Sequence, residues 1–276
     1  MIIRVISFVK QIVKYIKSAA GKTAVILFLA IIIILSQISP SKYETRELFL
    51  SFVPTLFGII VTVCFVQYLF DKQKSKEEKH EERRKIIRYY KVVSIVRDYY
   101  VIHYNSLFQQ ISDDYTNGVH IKKDTNFCEM IHLYEGNFFL NEQIQRPRIE
   151  IFYEKEEALI DSLVRMSENV EFKYYKELGE TIIDIIKCSK SYDVKGIILS
   201  NHSTMLKDNS GDHRLSEYVI QQIKDSKRDY CSEYLTGKLK SSILIPYVML
   251  YFLLKEEARL LENLQLQIKE LETETV

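Results

Sequence analysis

Two groups of residues in this 276-residue chain have types and spacings that could do chemistry. Ser51, Thr55, Gly58 and Thr62 recur at steps of four, three and four, which puts small and hydroxyl-bearing residues on one face of a helix. Such a face packs closely against a neighbouring helix, or, in a ring of copies, supplies the wet lining of a pore. Pro54 lies within the same run and would give a gate its hinge. The second group interleaves aromatic and basic side chains. Arg88-Tyr89-Tyr90-Lys91 and Lys173-Tyr174-Tyr175-Lys176 repeat one pattern. Base rings stack on tyrosine faces while lysine and arginine meet phosphates. Arg88, Tyr89, Lys91, Lys173, Tyr174 and Lys176 are therefore candidate contacts to a nucleotide or a single-stranded oligonucleotide. The competing reading makes tyrosine a core filler in a chain without tryptophan, with the charges solvated outside.

Catalytic and metal motifs fail on inspection. Gly21-Lys22-Thr23 copies the end of a phosphate-binding loop, but the first glycine of that motif falls on Ile16. His80-Glu81 lacks the second histidine of a zinc-protease helix. Cys128 and His132 stand one helical turn apart without a second pair of ligands. Asp208, Ser210 and Asp212 alternate as in a calcium loop, yet Gly211 is misplaced and no glutamate stands at the required distance. The expectation is a protein that is not an enzyme and holds neither cofactor nor metal.

The elements that must position these residues start with two uncharged apolar runs, 23–41 and 48–70, joined by the short connector 42–47. A bilayer core takes roughly 20 apolar residues per helix, so the pair reads as a transmembrane hairpin over 23–70. Arg4, Lys10, Lys14, Lys17 and Lys22 precede it, and Lys72, Lys74, Lys76, Lys79, Arg83, Arg84, Lys85 and Arg88 follow it. The connector holds only Lys42 and Arg46, against Glu44 and Glu47. The positive-inside rule then places both termini in the cytoplasm of a cell whose plasma membrane holds the hairpin. Residues 1–22 read as a basic amphipathic helix in the interface, or as a charged flank without fixed structure.

The 206 residues behind the hairpin carry about 31 basic and 35 acidic side chains, which excludes a broad electrostatic footprint for duplex nucleic acid. Glycine and proline are scarce, so this body is expected to be mainly α. A helical stalk is expected over 71–112. It is polar all round at first, then carries a stripe of Ile86, Tyr90, Val93, Val96, Tyr100, Leu107 and Ile111. A helical cytoplasmic sensor domain is expected over 113–276. It would have a loop at 113–124, a short helix near 125–134, a long helix opened by Pro147, another over 172–188, a polar loop ending in LKDNSGDH, and a helix over 215–234. The uncharged stretch 241–254 is short for a crossing, and a core helix is the expectation, with a third membrane element as the alternative. Leu254, Leu261, Leu264, Ile268 and Leu271 then keep roughly heptad spacing, the mark of a short coiled coil. Cys128, Cys188 and Cys231 are expected as buried, reduced thiols.

A basic N-terminal helix, a two-span hairpin, a helical stalk and a modest body without catalytic residues together resemble the two-span membrane effectors of bacterial antiviral (abortive infection) systems. The likeness is one of architecture over the whole chain, and no residue role is carried over by it. It implies pairing with a signal-producing or nucleic-acid-synthesising partner and permeabilisation of the inner membrane. The resulting expectation is a homo-oligomeric ion channel or pore in the lipid bilayer, gated by its cytoplasmic domain. The alternative is a membrane-tethered binding or scaffold protein whose hairpin is only an anchor.

Overall fold

The computed structural model describes residues 43–108, 119–136, 146–191, 193–208, 211–224 and 228–274. Side chains at 43–53, 56, 57, 60, 64, 208 and 211 stand outside the description. So do the first expected span, 23–41, the interfacial helix and Ile111. The described part is mainly helical. It falls into two units, 1–79 and 80–276.

One helix, α1, runs from Tyr43 to Ser106 and contributes to both units. It carries a single proline and a single glycine, Pro54 and Gly58, and is otherwise built of residues that tolerate a helix interior. Among the described residues no helix is long and apolar enough to cross a membrane. The stretch expected as a stalk, 71–112, is helical through Ser106. From Ile86 onward its stripe faces the interior of the second unit: Ile86, Tyr90, Val93, Tyr100 and Tyr104 are buried.

The second unit continues with a 3-10 turn at Phe127–Glu129 and helix α2 at Arg148–Asn169. Helix α3 spans Lys176–Ser189 and α4 spans Lys195–Ser203. The strands β1, Met205–Asp208, and β2, Gly211–Arg214, pair antiparallel with Met205 opposite Arg214. Helices α5, Leu215–Lys224, α6, Tyr230–Leu235, and α7, Ile245–Thr273, complete the chain. Pro147 stands at the start of α2, where a fixed φ and a missing N–H cost nothing. Ile149, Leu159, Leu163 and Met166 then turn inward as expected.

Several expectations are corrected. The helix expected from Phe172 begins only at Lys176, because Phe172 adopts φ 51°, a left-handed value that stops helical propagation. The helix expected over 215–234 is two, α5 and α6. Asp229 caps the second by accepting a hydrogen bond from the Ser232 N–H at 3.0 Å. The polar loop near 205–214 is a hairpin. Met205, Leu206, Asp212, His213 and Arg214 are all exposed, so no alternation of burial announced it.

The stretch 241–254 feeds a core helix. Pro246 sits in the first turn of α7, and Tyr247, Val248, Leu250, Leu253 and Leu254 are buried. The heptad positions beyond it, Leu261, Leu264, Ile268 and Leu271, are buried within the same chain, where α3 and α7 pack extensively. The heptad stripe thus packs inside the unit. Each such leucine stabilises by roughly 1.5–3 kcal/mol over its exposed state.

Aromatic rings fill the centre. Tyr100 and Phe152 lie 5.5 Å apart, and Tyr104 and Phe108 5.4 Å apart. Tyrosine does serve as core filler here.

Candidate functional site

The small-residue face lies in the first unit, on α1. Thr55, Gly58 and Thr62 are exposed, and so is Pro54, which lies inside the unbroken helix. Ser51 is helical, and its side chain stands outside the description. The Thr62 hydroxyl donates to the Gly58 carbonyl at 2.8 Å, one turn back. Around them Ile59, Val61, Val63, Phe65, Val66, Leu69 and Phe70 are all exposed large apolar side chains. At 100° per residue they spread over an arc of about 200°, and Thr55, Gly58 and Thr62 fall inside that arc.

The aromatic-basic groups separate. Arg88 and Lys91 are exposed on α1, while Tyr89 is half-buried against the core. The second group lines a surface groove of about 660 Å³ in the second unit. One wall is the segment 173–178 leading into α3, the other is the end of α7, residues 267–274. Lys173, Tyr174 and Lys176 all line it, and Arg88, Tyr89 and Lys91 do not. The Lys173 ammonium stands 5.0 Å over the Tyr174 ring, a cation–π contact. Tyr175 donates from its hydroxyl to Glu274 at 3.1 Å. Burial and that carboxylate push its pKa up to about 12, with Arg83 acting in the opposite sense.

Local geometry explains the groove. Phe172, in its left-handed conformation, folds back on α3 and packs against Gly179. A Cβ built there would meet Phe172 Cβ at 2.9 Å. The turn so formed aims 173–176 at the α7 terminus. Two residues of α1 hold both walls. Glu82 accepts from the Tyr174 N–H at 3.0 Å. Arg83 donates from Nε to the Leu271 carbonyl at 2.9 Å and from Nη2 to the Glu272 carbonyl at 3.1 Å. These carbonyls belong to the last turn of α7, which lacks intrahelical donors, and a cation there also meets the negative end of the helix dipole. Neither Glu82 nor Arg83 stood out in the sequence, since both sit in a run of charges that reads as solvated.

No family model, curated protein or solved structure matches the chain.

A buried polar centre was also missed by sequence reasoning. Glu257 of α7 is 2% exposed and accepts from the Tyr100 hydroxyl at 2.5 Å. Glu156 of α2 is also buried, and its carboxyl interacts electrostatically with that of Glu257. Desolvation, then the neighbouring carboxyl, raises the pKa of Glu156, and burial raises that of Glu257. Two carboxyls this close share protons rather than ionise together. Among the described residues no group of three or more His, Cys, Asp or Glu is placed to hold a metal. His132 directs Nδ1 to Glu135 at 2.6 Å rather than to Cys128.

The expectation of three buried thiols is corrected at every position. Cys128 is exposed, while Cys188 and Cys231 are half-buried. Burial pushes these two thiols up to about 12 and about 11 respectively, away from nucleophilic use.

Proposed function

We propose that the chain is a membrane effector of bacterial antiviral defence, in which 23–41 and 48–70 cross the plasma membrane and both termini stay in the cytoplasm. Copies of the chain assemble so that the second spans surround a pore, and the helical body gates it. One observation carries the reading. Exposed apolar side chains run along α1 from Ile59 to Phe70 over more than half of its circumference, and the same helix supplies the core of the second unit from Ile86 onward. Water is a poor solvent for such a segment, whereas hydrocarbon or the matching segments of other copies accommodate it. The helix backbone keeps Ser51, Thr55, Gly58 and Thr62 on one face, as a pore lining needs. The groove between 173–178 and 267–274 is the ligand site in this reading, with a nucleotide or single-stranded oligonucleotide stacked on Tyr174 between Lys173 and Lys176. A partner protein that makes such a signal completes the system.

A second reading keeps the membrane and drops the pore. Thr62 satisfies its own hydroxyl on the Gly58 carbonyl, so the face needs no water and can serve helix packing alone. The hairpin would then tether a scaffold whose body binds partners.

Depolarisation of cells on expression tests the first reading, together with its loss in Thr55→Phe or Thr62→Phe. Replacing 23–70 with an unrelated two-span anchor separates the two. Activity retained after the exchange supports the scaffold, and activity lost with targeting intact supports the channel. Protease treatment of sealed inside-out vesicles checks the topology. A body that resists digestion there but is removed from intact spheroplasts refutes both readings.

A further inference from the structure

We propose that Glu82 and Arg83 form a two-point strap through which the groove and α1 sense one another, so that anything reshaping the groove acts on the helix that leads to the apolar segment. The inference rests on the groove and channel reading above and adds the route of its regulation.

The geometry is specific. Of the groove's two walls, each is tied to α1 by one of two adjacent residues. Glu82 holds the Tyr174 backbone N–H on one wall, and Arg83 holds the Leu271 and Glu272 carbonyls on the other. Both ties end on backbone atoms of groove-lining segments, so a change of groove width moves the ties directly. Charge assistance makes each stronger than a neutral hydrogen bond. Arg83 also reaches electrostatically to Tyr175, whose hydroxyl crosses the groove to Glu274. The three contacts therefore form one connected set. Any ligand that inserts between Tyr175 and Glu274 or parts the walls competes with the strap. By linkage, loss of the strap changes the groove to the same degree. Adjacent residues on a helix point about 100° apart, which is how 82 and 83 reach two different walls.

The test uses the full chain in lipid vesicles, with hydrogen exchange and ion conductance read on the same preparations. Arg83→Ala and Glu82→Ala are each expected to raise exchange about tenfold across 172–178 and 267–274 together, with 148–166 unchanged as the sign of an intact fold. The tenfold figure is in the middle of the range over which coupled sites affect each other. Both variants are also expected to shift resting conductance without any ligand, and Arg83→Lys to restore it in part. Exchange confined to 80–86 overturns the strap. Conductance equal to the unsubstituted chain, with exchange spread as expected, overturns its role in gating. An unsubstituted chain with no conductance at all refutes the channel reading instead, and the exchange pattern still decides whether the strap holds the groove.

Discussion

Tyr100 and Glu257, 157 residues apart in sequence, are joined by a 2.5 Å hydrogen bond in which the phenol donates to the carboxyl. The bond ties α1 to α7 in the middle of the core, beside Glu156 of α2. Both carboxyls have raised pKa values in the folded protein, because desolvation disfavours the charged form. The sign of the pH effect follows. Near and below the ordinary glutamate value the acids are protonated in both states, and their contribution to folding is fully present. As pH rises, the unfolded chain releases protons that the folded chain retains, so stability falls until the folded carboxyls ionise as well. The midpoint of thermal unfolding should thus decline from about pH 5 to about pH 9 more steeply than in Glu257→Gln, which keeps an oxygen for Tyr100 and has no charge to lose. Thermal melts across that range check this. Parallel curves for the two proteins would refute a proton held in the core.

The reach of sequence reasoning can be judged from these same residues. Leu253, Leu254, Leu261, Leu264, Ile268 and Leu271 were legible as apolar positions on a helix. Their periodicity does not say whether the facing surface belongs to the same chain or to a copy. Glu257 stood invisible among Glu256, Arg259 and Glu262, because a buried acid has no sequence mark of its own; only its place on the leucine face hinted at it. Phe172 and Gly179 gave no sign of meeting, since a left-handed phenylalanine is a tertiary outcome that local propensity opposes. Lys173, Tyr174 and Lys176 were legible as an aromatic-basic group, but the groove that they line was not. Their partners on α7, about a hundred residues further on, and the strap from Glu82 and Arg83 depend on long-range packing that no spacing encodes.

Gly179 is filled from outside by Phe172. A methyl group there would stand 2.9 Å from Phe172 Cβ and Cγ, closer than carbon atoms tolerate. Gly179→Ala is expected to destabilise by about 1–3 kcal/mol, the usual cost of overpacking, despite alanine's better helix propensity. Denaturant unfolding measures it. Phe172→Gly should remove most of that penalty in the double variant, since both colliding carbons are then gone and glycine adopts φ 51° without strain. A glycine-to-alanine change that stabilises in both backgrounds would show that the ring does not rest on this site.

Arg148 has a side chain only 1% exposed, while its ion-pair partner Glu135, at 2.9 Å, is 43% exposed. Its Nη1 also donates to the Ser106 carbonyl at 2.8 Å, at the end of α1. This asymmetry orders the expected variants. Glu135→Ala strands a guanidinium in the core and should cost about 3–5 kcal/mol. Arg148→Met removes the buried charge, leaves Glu135 to water and orphans one carbonyl, so about 1–3 kcal/mol is expected. Chemical denaturation of both variants decides it. The reverse order would mean that Glu135 contributes little to holding Arg148 in place.

The hydroxyls of Tyr134 and Tyr247 meet at 2.5 Å in a chain with one consistent direction. Asn201 donates from Nδ2 to Tyr247 at 2.9 Å, and Tyr134 donates to the Ile198 carbonyl at 2.7 Å, which leaves the Tyr247 proton to point at Tyr134. Asn201 is itself buried. Tyr247→Phe therefore removes both the acceptor of a buried amide and the donor to Tyr134, whereas Tyr134→Phe leaves the Asn201 bond in place. The first should cost about 1–3 kcal/mol and the second less. Because the two rings belong to one chain of bonds, the double variant should fall short of the sum by about 0.5–1.5 kcal/mol. A double-mutant cycle on urea unfolding measures the shortfall. Strict additivity would show that the two hydroxyls act independently, and that Asn201 finds another acceptor when Tyr247 is lost.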